Sequence, residues 1–255
     1  MTKRLIVNAD DCNLTDGVTG AILDCHDHGI LSSTTWMANL PAKPAHVRKV
    51  SARKKLGVGI HLNLTLGVPV SESTVIPSLL SEEGRFRRVH LQLSNLPSAA
   101  DVRMEYKAQI ERFRKIFGRL PTHLDTHHQV HDHPFFLTVV IQTAGFFDLP
   151  IRRSKLFDDK IAYDFQAQSP DSVLGDLNPA GYWRKESLLS TLRTLKEGTH
   201  EIMCHPGKVD QDLKALSSFT RGRDDEWRLF RQSGLRAVLA RLGIELTHYG
   251  LCYTS

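Results

Sequence analysis

The sequence predicts an α/β fold, a distorted (β/α) TIM-like barrel with mainly parallel strands, forming a single domain over residues 1–255. Three observations carry that prediction. Short β-branched or apolar segments alternate with amphipathic helical ones, the pattern of a parallel sheet with helical crossovers. The chain has 255 residues, 41% hydrophobic and 24% charged, which suits one large core. Acidic residues and histidines gather where predicted strands end, and in a barrel those ends converge on the face that carries active sites.

In order, Arg4–Asn8 reads as a buried first strand, and Asp16–Gly29 as a helix with Val18, Ile22 and Cys25 on one face and Asp16 as its N-cap. Ser33–Asn39 is β-branched and aromatic, a second strand, and Pro41–Lys55 is a basic helix. Leu56–Leu64 alternates with period two, placing His61 and Asn63 on one face. Residues 68–97, rich in Ser, Pro and Gly, form a loop excursion. Ala99–Gly118 is an amphipathic helix with Val102, Tyr106, Ile110, Phe113 and Phe117 on one stripe. Then come a strand at Thr122–Thr126, a helix at Pro134–Gly145 with Pro in its first turn, and a short strand at Pro150–Arg153. The chain closes with a helix at Glu186–Glu197, a strand at Glu201–Cys204, one long helix at Arg223–Leu242 and a strand at Ile244–Thr247.

Several functions fall away on composition. No apolar run approaches the ~20 residues of a membrane span. The apolar run Leu5–Val7 is too short for a signal-peptide core, so a cytoplasmic location is expected. Cys12, Cys25, Cys204 and Cys252 show no CxxC pairing and read as reduced thiols. The net charge of +5 is modest, and its basic runs fit solvated helix faces better than a nucleic-acid surface. Nothing resembles GxGxxG or a P-loop, so no nucleotide cofactor is indicated.

Chemistry concentrates in His123–His133, which holds five of the thirteen histidines and two aspartates. Histidine is the commonest metal ligand and a proton shuttle near neutral pH, so a metal-dependent enzyme is the expectation. His127 stands nearest the mouth of its strand, His131 returns on the loop, His128 points away, and His133, beside Pro134, starts a helix. Two neutral histidines with one carboxylate leave open positions on an ion for water and substrate. Asp10-Asp11 follow the first strand; adjacent strand residues face opposite ways, so both serve one site only if the strand has ended and the backbone turns. His205, followed by Pro206-Gly207, suits a strand-end catalytic position, with Cys204 facing the core.

Asn8-Ala9-Asp10-Asp11, Gly59-Ile60-His61-Leu62-Asn63-Leu64-Thr65, Asp125-Thr126-His127-His128-Gln129-Val130-His131 and His205-Pro206-Gly207 together resemble the YdjC-like carbohydrate deacetylases. That family includes chitooligosaccharide deacetylases and a hopanoid-associated branch. The resemblance runs from residue 3 to about 210. It implies a barrel related to the polysaccharide deacetylases, a homodimer, and one divalent metal ion, Mg or Zn, held by Asp11, His61 and His127, with Asp10 as general base. The family usually has Phe-Gly where Cys12-Asn13 stands, and often a histidine at Gln129.

The expected reaction is removal of the N-acetyl group from an acetylated amino sugar or oligosaccharide. Asp10 takes the proton of the attacking water, and His205, across the carbonyl, protonates the leaving amine. Asn63, His131 and Arg152 are the candidate substrate-binding residues. The partners expected are a small carbohydrate and a second copy of the chain, with no nucleic acid and no membrane. Two alternatives stand: another metal-dependent hydrolase on the same barrel, or a non-catalytic sugar- or metal-binding homologue.

Overall fold

A computed structural model describes residues 2–88, 94–175 and 181–253. The chain runs β1 (Lys3–Cys12), α1 (Asp16–His28), β2 (Ser33–Trp36), α2 (Pro44–Ser51) and β3 (Gly57–Leu62). After two 3-10 turns, Ser73–Val75 and Pro77–Leu79, come α3 (Ala99–Phe117), β4 (Leu124–Thr126), a 3-10 segment at His127–Asp132, α4 (Pro134–Phe147) and α5 (Asp159–Phe165). The remainder comprises β5 (Ser172–Leu174), α6 (Lys185–Thr194), β6 (Gly198–Cys204), α7 (Gln211–Leu216), α8 (Arg223–Phe230), α9 (Gly234–Arg241), β7 (Ile244–Thr247) and α10 (Tyr249–Cys252). The described strands join in the order β4-β3-β2-β1-β6-β5, with β7 also on β1. The β1–β6, β1–β7, β3–β4 and β5–β6 pairs are parallel. The α/β class and the mainly parallel, TIM-like arrangement expected from the sequence are present. No helix among the described residues is long and apolar enough to cross a membrane.

The chain folds into two compact units: Met1–Thr35, Arg48–Val58 and Pro170–Ser255 make up the first, Trp36–Val47 and Gly59–Ser169 the second. In the first unit, Leu5, Ile6, Val7 and Ala9 of β1 are fully buried, the near-continuous apolar run of a strand covered on both faces. Its register with β6 runs from Lys3↔Gly198 to Ala9↔Cys204. β7 borders β1 at Lys3–Ile6, and beyond it Ser32 N–H bonds the Val7 carbonyl at 3.1 Å. β1 extends four residues past the expected end at Asn8 and carries Asp10 and Asp11 within it.

The N-cap of α1 is Thr15, whose side chain accepts from Val18 N–H at 3.2 Å, rather than Asp16. Asp16 sits in the first turn, where an acid suits the helix dipole. The C-cap of α1 is Gly29, and only glycine fits there, because a Cβ would lie 1.7 Å from the Phe230 carbonyl oxygen. The single helix expected over Arg223–Leu242 is two helices, α8 and α9. They are separated by Arg231-Gln232-Ser233, next to Gly234, and Ser and Gly favour caps and breaks over helix interiors.

In the second unit, α3 buries Val102, Tyr106, Ile110 and Phe113. Each such side chain contributes about 2 kcal/mol of transfer free energy. On the same helix the buried Glu105 accepts from Val70 and Ser71 N–H at 2.9 Å each, and Asp101 accepts from Ser78 N–H at 2.9 Å. These bonds pin the described part of the 68–97 excursion; residues 89–93 of that stretch lie outside the described residues. The strand expected at Pro150–Arg153 is a single parallel bridge, Leu124↔Ile151.

Candidate active site

The parallel register of β3 and β4 sets His61 beside Asp125. Side chains at equivalent register positions share a face, and His61 Nδ1 meets Asp125 Oδ1 at 2.6 Å. Two residues earlier on the same face the partner of the buried His123 ring is Gly59, where a Cβ would lie 2.4 Å from the imidazole. Only glycine leaves room there for the strands to stay in register. The other oxygen of Asp125 meets Arg152 Nη1 at 3.0 Å, and all three side chains are buried. Burial works to raise the Asp125 carboxyl, but the neighbouring His61 and Arg152 charges overcome it and hold it well below the ordinary carboxylate range. Asp125 is therefore an anion that fixes the His61 ring through Nδ1, with the other ring nitrogen, Nε2, on the opposite side.

That nitrogen lies 3.2 Å from Nδ1 of His127. His127 opens the 3-10 segment, whose path bends through left-handed backbone at His128 (φ 57) and Gln129 (φ 46). His128 turns to Thr65 Oγ1 at 2.8 Å, and His131 Nδ1 meets Thr126 Oγ1 at 2.5 Å. His133 caps α4 with its ring, as its place before Pro134 suggested.

The expected substrate-binding residues have structural partners. Both amide protons of Asn63 are used, on Asn39 Oδ1 at 3.0 Å and the Leu66 carbonyl at 2.7 Å, and its Oδ1 accepts from Thr65 and Leu66 N–H. Arg152, 1% exposed, orients Asp125, and His131, also 1% exposed, is bonded to the end of β4. Arg152 thus supports His61 through Asp125, while Asn63 and His131 order the chain just after β3 and β4.

In the first unit, β1 reaches Asp10 and Asp11 without ending, contrary to the condition set by strand alternation. A positive φ of 67° at Asp11 supplies the change of direction instead. Asn13 follows at φ 78, a conformation that favours Gly and that Asn tolerates better than other side chains. The departure from the family's usual glycine at this position thus keeps the backbone path. Asp10 accepts from Asn8 Nδ2 at 3.1 Å, and its Oδ2 lies 3.6 Å from His205 Nε2. The two side chains face each other across that separation. Asp11 Oδ2 meets Arg223 Nη2 at 2.7 Å, both side chains being 2% exposed. His205 donates its backbone N–H to Glu226 Oε2 at 2.5 Å, and its ring stands edge-on to Phe219 with centroids 5.3 Å apart. Cys204 is buried, as expected, with Sγ against the Asn8 carbonyl.

Sequence reasoning missed Arg223 and Glu226, because nothing local distinguishes them on a charged helix. The role of Asp125 was within reach: it sits two residues before His127, in the strand paired with that of His61.

The donor set of the second unit fits a divalent ion. Two ligands about 2.1 Å from one ion, at tetrahedral or octahedral angles, lie roughly 3.0–3.4 Å apart, which brackets the 3.2 Å between the facing nitrogens of His61 and His127. A carboxylate behind the ligating histidine fixes its tautomer in the usual way. Imidazole with carboxylate is the ligand chemistry of several divalent ions.

Residues 4–241 match the family model described as YdjC-like protein. A carbohydrate deacetylase of Geobacillus stearothermophilus is 36% identical over 250 residues, covering 98% of each chain. A chitooligosaccharide deacetylase of Proteus mirabilis (strain HI4320) is 32% identical over 254 residues, again covering 98% of each. A crystal structure from Enterococcus faecalis V583, of a protein named for cellobiose-phosphate cleavage, superposes with a TM-score of 0.88 at 29% identity over 100% of both chains. The chain belongs to the YdjC-like family.

Proposed function

We propose that this protein is a metal-dependent hydrolase that removes the N-acetyl group from an acetylated amino sugar or oligosaccharide, a chitooligosaccharide being the favoured substrate, and releases acetate. The observation that carries the reading is the pair of histidine nitrogens 3.2 Å apart with His61 locked by Asp125. The names of the full-length relatives supply the substrate class. His61 and His127 would hold the ion, with Asp11 as the third ligand. Mg and Zn both suit the donors. When bound, the ion supplies Lewis-acid polarisation of the acetyl carbonyl and lowers the pKa of a water.

The remaining chemistry falls to the chain itself. Asp10 removes the proton of the attacking water. His205, 3.6 Å from Asp10, carries a proton to the sugar nitrogen as the C–N bond breaks. The proton taken up by Asp10 and the proton delivered by His205 balance over the reaction, so that acetate and the free amine are the products. Asn63, His131 and Arg152 serve substrate binding indirectly, by holding the loop and the ligating side chains. We assign the activity to one domain, acting as a cytoplasmic homodimer.

The test is metal analysis of purified protein together with acetate release from N,N′-diacetylchitobiose, before and after chelation. Bound divalent metal and acetate release that stops on chelation and returns with metal support the reading. Metal without acetate from any acetylated sugar points to a different hydrolase or to a binding protein, and absence of metal affinity overturns it. Asp10→Asn should abolish turnover while leaving metal binding intact; a wild-type rate would remove Asp10 from the role of base.

A further inference from the structure

Two buried side chains of the first unit share a single helix. Arg223 opens α8 and Glu226 follows three residues later, so the two side chains share a face one turn apart. Glu226, 2% exposed, spends both carboxylate oxygens on backbone donors: Oε2 on His205 N–H at 2.5 Å and Oε1 on Trp183 N–H at 3.0 Å. Trp183 in turn donates its indole N–H to the Met203 carbonyl at 2.9 Å, two residues before His205. The C-terminal end of β6 is therefore tied at two points to a segment that Glu226 also holds. Arg223 is equally committed. Nη2 binds Asp11 Oδ2 at 2.7 Å, Nε binds the Phe219 carbonyl at 2.7 Å, and the guanidinium carbon lies 5.2 Å from the centroid of the Phe219 ring, the ring that packs on His205.

Neither residue touches the reacting atoms in the mechanism above, and neither has a role in it. Surface contacts do not account for them, because both are buried polar side chains, which persist only when hydrogen-bonded or paired. Resting on the deacetylase reading, we propose that Arg223 and Glu226 are the positioning residues of this site: Glu226 fixes His205 through its backbone N–H, and Arg223 fixes the Asp11 carboxylate by holding Oδ2. α8 thus places the acid at the end of β6 and the carboxylate ligand at the end of β1 from one rigid element. The two effects are separable, since Glu226 acts on His205 and Arg223 on Asp11.

The test compares Glu226→Gln, Glu226→Asp, Arg223→Gln and Arg223→Lys in the full chain. Three readouts are taken: the His205 backbone amide proton by NMR, zinc and magnesium binding by calorimetry, and kcat and KM for acetate release from N,N′-diacetylchitobiose. A short bond to a carboxylate places the amide proton far downfield, and Glu226→Gln should move it upfield. In the same variant kcat should fall roughly 10- to 100-fold, the loss a misplacement of about 1 Å produces, with KM and metal affinity unchanged. Glu226→Asp keeps both acceptors on a shorter reach and should fall between the two. Arg223→Gln should instead lower metal affinity by about 10- to 100-fold, with Arg223→Lys recovering part of it. The proposal is overturned if Glu226→Gln leaves the His205 amide and kcat at wild-type values. It is overturned equally if all four variants lose activity only in proportion to lost melting temperature. A wild-type protein that binds no metal and releases no acetate defeats the deacetylase reading instead, and the amide shift still decides whether Glu226 holds His205.

Discussion

At the end of β1 in the first unit the ionisable groups are two carboxylates, and a cation, Arg223, stands against Asp11 at 2.7 Å. Along β3 and just past β4 in the second unit stand two histidines, His61 and His127, and an anion, Asp125, stands against His61 at 2.6 Å. Each partner holds one atom of a two-atom group: Arg223 takes Oδ2 of Asp11, and Asp125 takes Nδ1 of His61. The origins of the partners differ. Asp125 comes from the neighbouring strand in register, whereas Arg223 comes from a helix 212 residues along the chain. A site assembled from paired strands carries its supports with it; a carboxylate at a bent strand end must recruit them from a distant element.

The largest expected effect breaks the support on the histidine side. Asp125→Ala strands Arg152, 1% exposed, without its carboxylate and frees the His61 ring. Removing one partner of a buried ion pair costs about 3–5 kcal/mol, which urea denaturation monitored by circular dichroism should register. Arg223→Ala removes the corresponding support on the carboxylate side and belongs in the same range. A cost under about 1 kcal/mol for either variant would mean that the pair on that side is dispensable to the fold, and the comparison would fail there.

A second effect separates the units by pH. Burial pushes the Glu226 carboxyl up to about 7, against the two backbone N–H bonds and the Arg223 charge, which act in the opposite direction. Asp125 moves the other way, held down by His61 and Arg152. The unfolded Glu226 carboxyl titrates near the ordinary glutamate value of about 4.3. Between there and about 7 the folded state binds the extra proton, so stability falls as pH rises through that window. The integrated cost is on the order of 3 kcal/mol. Glu226→Gln has no proton to lose and should flatten the curve of melting temperature between pH 4.5 and 7.5. Should the wild-type curve itself be flat there, Glu226 is ionised throughout and its environment is more polar than its burial implies.

These supports also mark how far the sequence could be read. Strand–helix alternation and the order of the motifs placed β1, β3, β4 and β6, because a buried parallel strand is a short apolar run and its chemistry sits at its C-terminal end. The local pattern around His61 and Asp125 held enough to place both on one face. The break between α8 and α9 was missed because the helical periodicity runs through Arg231-Gln232-Ser233 almost undisturbed, and only the Ser233-Gly234 pair hints at it in the sequence. β5, three half-buried residues, has too little apolar surface to announce a strand. Arg223 and Glu226 look like any charged residues on a surface helix until the strand ends they hold are known. The Asp10-Asp11 pair was legible as chemistry but not as geometry, because a single left-handed residue within a strand leaves no trace in hydrophobic alternation.

The smallest effect concerns how each unit starts the helix that follows its chemistry. After Asp11 the cap is Thr15, a favoured residue at 3.2 Å from Val18 N–H, and Thr19 Oγ1 ties Thr15 to the turn by donating to its carbonyl at 3.0 Å and accepting from Asn13 N–H at 3.1 Å. After His127 the cap is His133, whose ring nitrogen reaches Phe135 N–H at a longer 3.3 Å. Pro134 has no N–H to satisfy, so this helix start has one fewer orphan donor. Thr15→Ala should therefore cost about 1 kcal/mol, and His133→Ala clearly less, in matched thermal melts. Because Thr15 lies four residues from Asp11 on the same turn, its loss should also loosen the left-handed backbone there, seen as faster amide exchange at Asn13 and Leu14. Equal costs for the two caps, with exchange at Asn13 unchanged, would mean that the turn after Asp11 is held by its side chains' bonds to Arg223 and not by the start of α1.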